Sequence, residues 1–577
     1  MAQEKTKAEE YLNLGGINTK ASKYATGPHE FLDLSNIDFR EPGALTKRDG
    51  TTLYLGATVT GKITGLYQFD RLNGDSSIIA TANTNAYTVT SSFNQFKGSL
   101  TSGALFEFQT FVDRLFATNG AEYFKYDGTN SYNVGLPPIA YAGVSIGEGG
   151  GLTGVIVIGV GAFNDRGFYG PVSDGHTVTL NGITFGRVDY YGLSAPTGFG
   201  ISGFAFYRSS PSGIDMFRFD TADTTATYAD TGVTALTATP DPGLLYIQAS
   251  FIPKYLSIYN NQLMTSGFSG ALSTVWFSEI GEPEAFLPES SFEVRTNDGD
   301  QIMGQVPYNG AFLIFKEKSV HRLTGTNPDS FVLSEVSDQY GCISHRAIVV
   351  WQDVVWWLDS NKGIVEYNGA NIRVVSTKVE PVFSRINVSA ARFNATAVHD
   401  RARNQLKFAF PVDGATENNF ILTYDYVADA WSSEAGYEPS VMVIAQGSRT
   451  TPTVFMGGYT GTIATFGASI FSDLGQAMTV LIKSRFLSEA NSITKEFRRL
   501  YLDTVVVGPS APIAVNLMQD YGASIVVSRT MYQAPFQSRI DFGVQGKALA
   551  CQFVQVSATD PLQINGYTVE YRLQRRT

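Results

Sequence analysis

Residues 341–345 (GCISH) set a thiol, a hydroxyl and an imidazole close together, the groups from which a nucleophile and its base are assembled. On an extended strand, however, Ser344 and His345 point to opposite faces, and so do Cys342 and His345. The base is then presented to neither nucleophile, and the segment reads as structural. A second candidate is the acidic phrase SEIGEPEAFLPES, with Glu279, Glu282, Glu284 and Glu289. Two carboxylates flanking a sugar are the machinery of glycoside hydrolysis, but the prolines describe a surface loop between sheets equally well. Asn297-Asp-Gly-Asp300 begins like a calcium loop and lacks the further spaced carboxylates and the distal Glu. It reads as a tight inter-strand turn. The five histidines (His29, His176, His321, His345 and His399) include no pair at metal-ligand spacing. Cys342 and Cys551 are too few and too distant for a disulfide framework and read as reduced and buried. There is no phosphate-cradling Gly-rich loop with a following Lys-Ser/Thr and no dinucleotide fingerprint. The expectation is a protein that is not an enzyme, with no catalytic, cofactor-binding or metal residue to assign.

The elements that would position any such group are short strands. Residues 301–369 say the same thing twice: QIMGQVPYNGAFLIFKEKSVHRLTG, then AIVVWQDVVWWLDSNKGIVEYNG. Each half has an apolar strand, a polar turn, a very apolar strand (311–315, 354–358), a Lys-containing turn, and an alternating strand (319–323, 363–367). Apolar runs of about five residues between turns are strands buried on both faces. Further copies cover 397–431, 441–466, 255–277, 105–128 and, more loosely, 63–89. The very apolar strands around Leu263, Leu313, Val355, Leu406 and Val454 recur about every 40 to 50 residues, the period of β-propeller blades. The fold expected is mainly β: a six- or seven-bladed propeller.

Two stretches break the rhythm. From Pro137-Pro138 to the PDPG at 240–243, regularly spaced strands describe a small inserted β-sandwich. After Gly467 a further run of strands describes a C-terminal sandwich. The resulting division is a docking arm (1–58), first blades (59–139), the insertion (140–245), further blades (246–468) and the C-terminal sandwich (469–577). The arm carries apolar anchors (Leu12, Leu14, Ile17, Phe31, Leu32, Leu34, Ile37, Phe39 and Leu45) ahead of the blade repeat. They are expected to bury against the propeller, a sandwich domain or a neighbouring subunit, with part of the cover coming from the neighbour.

Composition agrees with a β-rich chain. Charged residues are 16% of the 577, against roughly 25% in ordinary globular proteins, while Gly (57), Phe (39) and Tyr (29) abound. Forty-two Lys and Arg against 53 Asp and Glu give a net charge of −11, and no basic stripe suited to gripping a phosphate backbone is present. The densest basic spots, KEFRR (495–499) and RLQRR (572–576), alternate with apolar residues as a solvated sheet face would. No apolar run reaches the length of a membrane span, and the first residues have no secretory character. A soluble protein made in a reducing compartment is expected.

Several phrases together resemble one family. LGGINT, then Asn36, Gly43, Leu45, Lys47, Arg48, Gly50 and Thr51 in the pattern N…G-x-L-x-K-R-x-G-T, are similar to the opening of the nozzle proteins of short-tailed bacteriophages, the tail tubular protein B or DNA-stabilisation family. WFSEIGEPEAF, Asp298-Gly-Asp300, LIFKEKSVHRLTG, WWLDSNKGIVEYNG and YDYVADAWSS follow in the expected order. The insertion, with FAFYRSS and ATYADTG, resembles a fibronectin type III module. The resemblance implies a virion structural protein made in the host cytoplasm. It would form a ring, usually of six copies, at the distal end of the tail. Its partners would be other copies of itself, the portal adaptor, and tail fibres or spikes. Double-stranded DNA would pass through its channel without sequence-specific binding, be retained before infection and be released at ejection. The rival classes are a receptor-binding or tail-fibre protein and a propeller glycosidase using the Glu279–Glu289 cluster.

Overall fold

The computed structural model describes residues 6–90, 92–166, 168–182, 184–237, 251–287, 289–295, 298–447, 451–488, 493–505, 511–533 and 538–574. The boundary expected at 240–246, Asn297 and the last three residues lie outside these.

Seven four-stranded antiparallel sheets occupy the positions of the seven repeat copies, and they close into a ring. The innermost strands are Ile63–Asp70, Glu107–Phe111, Tyr255–Tyr259, Ile302–Tyr308, Ile348–Trp351, Thr396–Asp400 and Pro439–Ala445. Each packs against the next, and the last packs back on the first. The apolar strands singled out by the repeat are the second strand of each blade, not the innermost. Leu263, Leu313, Val355, Leu406 and Val454 are all fully buried there, because a second strand has sheet neighbours on both edges and blades on both faces. The hairpins that lead into these strands use left-handed residues. Asn260 and Asn261, and Asn309 with Gly310, have positive φ at both turn positions, the geometry that matches the strand twist.

Ring closure depends on the start of the chain. Blade seven takes three strands from Pro439–Ala445, Thr453–Gly458 and Thr462–Phe466, and its outer strand is Thr51–Thr58, with Phe466 opposite Thr51 and Thr462 opposite Thr58. The expected boundary at residue 58 therefore cuts a blade.

Residues 6–47 likewise do not form a free arm. Lys7–Tyr11 and Leu45–Lys47 extend the edge of the C-terminal strand Gln563–Leu573, and Phe31–Ser35 lies between Ala430–Glu434 of blade six and Gln476–Ser484. Leu14, Ile17, Phe31, Leu34, Ile37, Phe39 and Leu45 are buried in one core with Val480, Leu500, Val515, Phe553 and Val569 of the C-terminal sheets. The cover expected from a neighbour is supplied by the chain itself. Among the nine anchors only Leu12, 45% accessible, stays exposed.

The phrase N…G-x-L-x-K-R-x-G-T marks the junction of these parts. Arg48 is buried and gives Asp473 two hydrogen bonds of 3.0 and 2.6 Å, Asn36 Oδ1 one of 2.8 Å, and the carbonyls of Asp49 and Ala435 one each. Asp473 also accepts from Thr51 Oγ1, and Glu434 beside Arg48 accepts from Lys407 and Tyr437. Lys47 Nζ donates to the carbonyls of Ser557 and Asp560 in the C-terminal sheets. A Cβ on Gly50 would stand 2.0 Å from the carbonyl oxygen of Ser472, so only glycine lets the two backbones meet.

The insertion comprises a three-stranded sheet (Gly143–Gly147, Arg187–Tyr191, Thr227–Asp230) and a four-stranded one (His176–Asn181, Thr153–Asn164, Ile201–Arg208, Phe217–Asp223). Ile156, Ile158, Val160, Tyr190, Phe204, Phe206 and Phe219 form a core of their own. The two sheets are pinned by a buried ion pair, with Arg208 donating to both oxygens of Asp230 at 2.6 and 2.7 Å, and by Tyr228 stacked on Phe206.

Candidate functional site

Four basic side chains gather at one end of the propeller axis. Five segments that lead into innermost strands, around Lys62, Ala104, Lys254, His345 and Phe393, surround a cavity of about 390 Å³. Because every blade starts its inner strand at the same end of the ring, a basic residue ahead of that strand is delivered to the axis. Lys62, Lys254, Arg346 and Arg392 arrive this way.

Glu107 is the carboxylate at their centre. It accepts from Arg346 Nε at 3.1 Å, and His345 Nε2 stands 3.5 Å from its other oxygen. Arg346 also donates from Nη2 to the carbonyls of Thr64 and Phe106, tying blade five to blades one and two. His345 Nδ1 accepts from the backbone N–H of Gln305 at 3.3 Å, which leaves Nε2 as the protonated nitrogen facing Glu107. Burial pushes the His345 pKa down, so the ring is neutral at pH 7. Lys62 donates to Asn394 Oδ1 and lies over the Tyr459 ring. Its pKa is lowered to about 8, by burial and then by Arg346, against a raising influence of Glu417. Arg392 is paired with Glu317. The Lys254 ammonium lies over the rings of Tyr255 and Phe393. Burial and Arg346 lower its pKa despite Glu107. The arrangement is suited to holding negative charge rather than to moving a proton.

Of the residues weighed from sequence, Ser344 and His345 both line this cavity, and the others are dispersed. Cys342 Sγ donates to the carbonyl of Ser344 within a blade core, and burial pushes its pKa up. Ser344 Oγ donates to the carbonyl of Ala395, and His345 turns to the axis. Cys342→Ala is therefore expected to cost about 1–2 kcal/mol through the small cavity left. Thermal melting reads this, and a melting temperature equal to that of the native chain would mean that the thiol is not needed to fill the blade core.

Glu284 is buried against Lys125, with both oxygens within 2.8 Å of Nζ, and accepts from the N–H of Gly135 at 2.9 Å. It joins blade three to blade two. Glu279 and Glu289 share a separate cavity of about 560 Å³ with Phe277, Phe292 and Phe331, while burial and Glu279 raise the pKa of Glu282. Asp298 holds the buried Lys316 ammonium at 2.9 and 2.7 Å, and Asp300 accepts the N–H groups of Glu317 and Lys318. This is a turn that neutralises a buried lysine. His399 packs against Trp351 and reaches Tyr426, His321 reaches Ser319, and His29 meets the carbonyl of Leu12. Among the described residues no three His, Cys, Asp or Glu side chains gather as metal ligands. In the basic phrase KEFRR, Arg498 pairs with Glu496, and Arg499 with Asp541 and Glu570.

The sequence reading missed Lys62, Glu107, Lys254, Arg346 and Arg392. A signal was present: with the repeat copies aligned, a basic residue falls just ahead of the innermost strand in the first, third, fifth and sixth blades.

No protein-family profile matches the chain, and no curated protein matches it. Among solved structures it is similar to the WD40 domain of Pan2 from Neurospora crassa, at 8% identity over 72% of this chain and 95% of that one, with a TM-score of 0.30. YCF48 bound to D1 peptide aligns at 9% identity over 72% and 94% of the two chains, with a TM-score of 0.26. An exo-beta-1,3-galactanase from Phanerochaete chrysosporium aligns at 11% identity over 72% and 100%, with a TM-score of 0.17. Likeness at this level carries no argument about activity, and the propeller rests on its own strand pairing.

Proposed function

We propose that this chain is a structural protein of a short bacteriophage tail, a nozzle subunit that assembles into a ring of about six copies below the portal adaptor. The observation that carries the reading is the junction around Arg48. Asn36, Leu45, Lys47, Arg48, Gly50 and Thr51, six of the seven residues of the family-like phrase, are buried where the start of the chain, blades six and seven and the C-terminal sheets meet, and Gly43 is partly covered. A phrase spent on locking domains together suits a subunit under mechanical load. On this reading the insertion acts as a fibronectin-like module and the C-terminal sheets as a sandwich, both available to fibres, spikes or the adaptor. The net charge of −11 suits passage of DNA rather than its retention by contact.

Electron microscopy of the purified protein, alone and mixed with tail components, tests the proposal. A closed ring with about six-fold symmetry is expected. A trimer would favour the receptor-binding class. A monomer that cleaves glycosides, and loses that activity in Glu279→Gln or Glu289→Gln, would replace the proposal with the glycosidase reading.

A further inference from the structure

We propose that the axial cavity is a binding site for an oxyanion, a carboxylate or phosphate, carried on a flat apolar body. Four cations converge there, Lys62, Lys254, Arg346 and Arg392. Their counter-charges are mostly committed: Glu107 to Arg346 and His345, Glu317 to Arg392. Even with Glu417 counted toward Lys62, one cation is in excess. Lys254 is the one without a direct ion pair, Glu107 acting on it only at a distance. Half-buried, it has ring faces but no hydrogen-bond acceptor or carboxylate partner among the described residues. Arg346, its side chain only 9% accessible, keeps Nη1 buried with no acceptor among them either. A buried donor left without an acceptor is costly, so an anion that reaches Arg346 Nη1 recovers an interaction that the free protein lacks.

The apolar part of the ligand is argued from the wall. Phe393 is 58% accessible at the edge of the cavity, a large ring left open, with Leu105 and the Tyr255 ring beside it. An aromatic or aliphatic body could cover Phe393 while its charged end meets Lys254. This inference is independent of the tail proposal, since it needs only the folded chain.

Benzoate and inorganic phosphate are suitable probes for calorimetric titration of the full chain at pH 7. Saturable binding of benzoate is expected, tighter than that of phosphate. Lys254→Met should weaken it by about tenfold or more, the loss of a charge-assisted contact. Phe393→Ser, at an exposed position, should weaken benzoate more than phosphate, and it carries the test should Lys254→Met not fold. Absence of saturation by either anion up to about 10 mM, a concentration that would detect even weak binding, would overturn the site. So would affinity unchanged in a folded Lys254→Met or in Phe393→Ser. Phosphate binding tighter than benzoate would overturn the apolar part of the proposal.

Discussion

Arg48→Ala is expected to destabilise the chain by about 3–5 kcal/mol, the cost of leaving a buried charge network without its central cation. Glu434 and Asp473 are both buried, and Arg48 satisfies Asp473 through two parallel hydrogen bonds. Removing the guanidinium also takes the side-chain donor from the carbonyls of Asp49 and Ala435 and one of two donors from Asn36 Oδ1, which keeps the N–H of Ala435. Arg48→Met combined with Asp473→Asn should cost less than the single change, since both members of a pair are then neutral. Acid sensitivity gives a second readout. Burial alone would raise the Glu434 pKa, but Lys407 and Arg48 draw it below its ordinary 4.5 to about 2. A depressed carboxylate stabilises the folded chain fully above its unfolded pKa, and that contribution is lost as pH falls from there through the folded value. In the native chain the loss therefore runs from about pH 4.5 down to about 2. Arg48→Ala should raise the folded Glu434 pKa toward 4.5 and so shrink the part of the stability that acid removes. Chemical denaturation at pH 7 and at pH 4 measures both effects. Equal stability of variant and native chain at pH 7 would mean that the junction does not depend on this pair.

What could be read from the sequence follows burial symmetry. The second strand of each blade is covered on both faces, so Leu313 and Val355 stand in uninterrupted apolar runs, and their equivalents recur at a similar period even where a polar residue such as Lys407 intervenes. Strand Gln563–Leu573 was legible for the complementary reason: Tyr567, Val569 and Tyr571 alternate with polar residues because one face is packed. The pairing of Thr51–Thr58 with Thr462–Phe466 was not legible. TTLYLGAT has no pattern that names a partner some four hundred positions away, and ring closure is a property of the whole fold. The axial cations were hidden differently. Lys62, Lys254 and Arg346 are ordinary loop residues one at a time, and only the ring brings them together. Glu284 shows the converse. Its acidic loop suggested chemistry, yet the carboxylate is consumed by Lys125, on a strand of another blade.

Deleting residues 1–30 is expected to unfold the C-terminal sheets rather than release a folded subunit that fails to dock. The deletion removes the strand Lys7–Tyr11, which hydrogen-bonds along residues 567–571, and uncovers Tyr567, on which Tyr11 stacks with ring centroids 4.8 Å apart. Tyr11, Leu14 and Ile17 are all buried. At about 1.5–3 kcal/mol for each large apolar side chain, their loss amounts to roughly 5–9 kcal/mol. Whole domains are commonly stable by only about 5–15 kcal/mol, so little or nothing would remain to hold the C-terminal sheets. The blades close through Thr51–Thr58, which the deletion spares, so the propeller should survive. Limited proteolysis should then cut the truncated chain throughout residues 476–574 and leave the blades resistant. A truncated protein that resists cleavage there and melts within a few degrees of the native chain would show the cover to be dispensable. Failure to assemble would in that case be a docking effect. Leu12, still exposed in the isolated chain, would then be the first anchor to test against a neighbouring subunit.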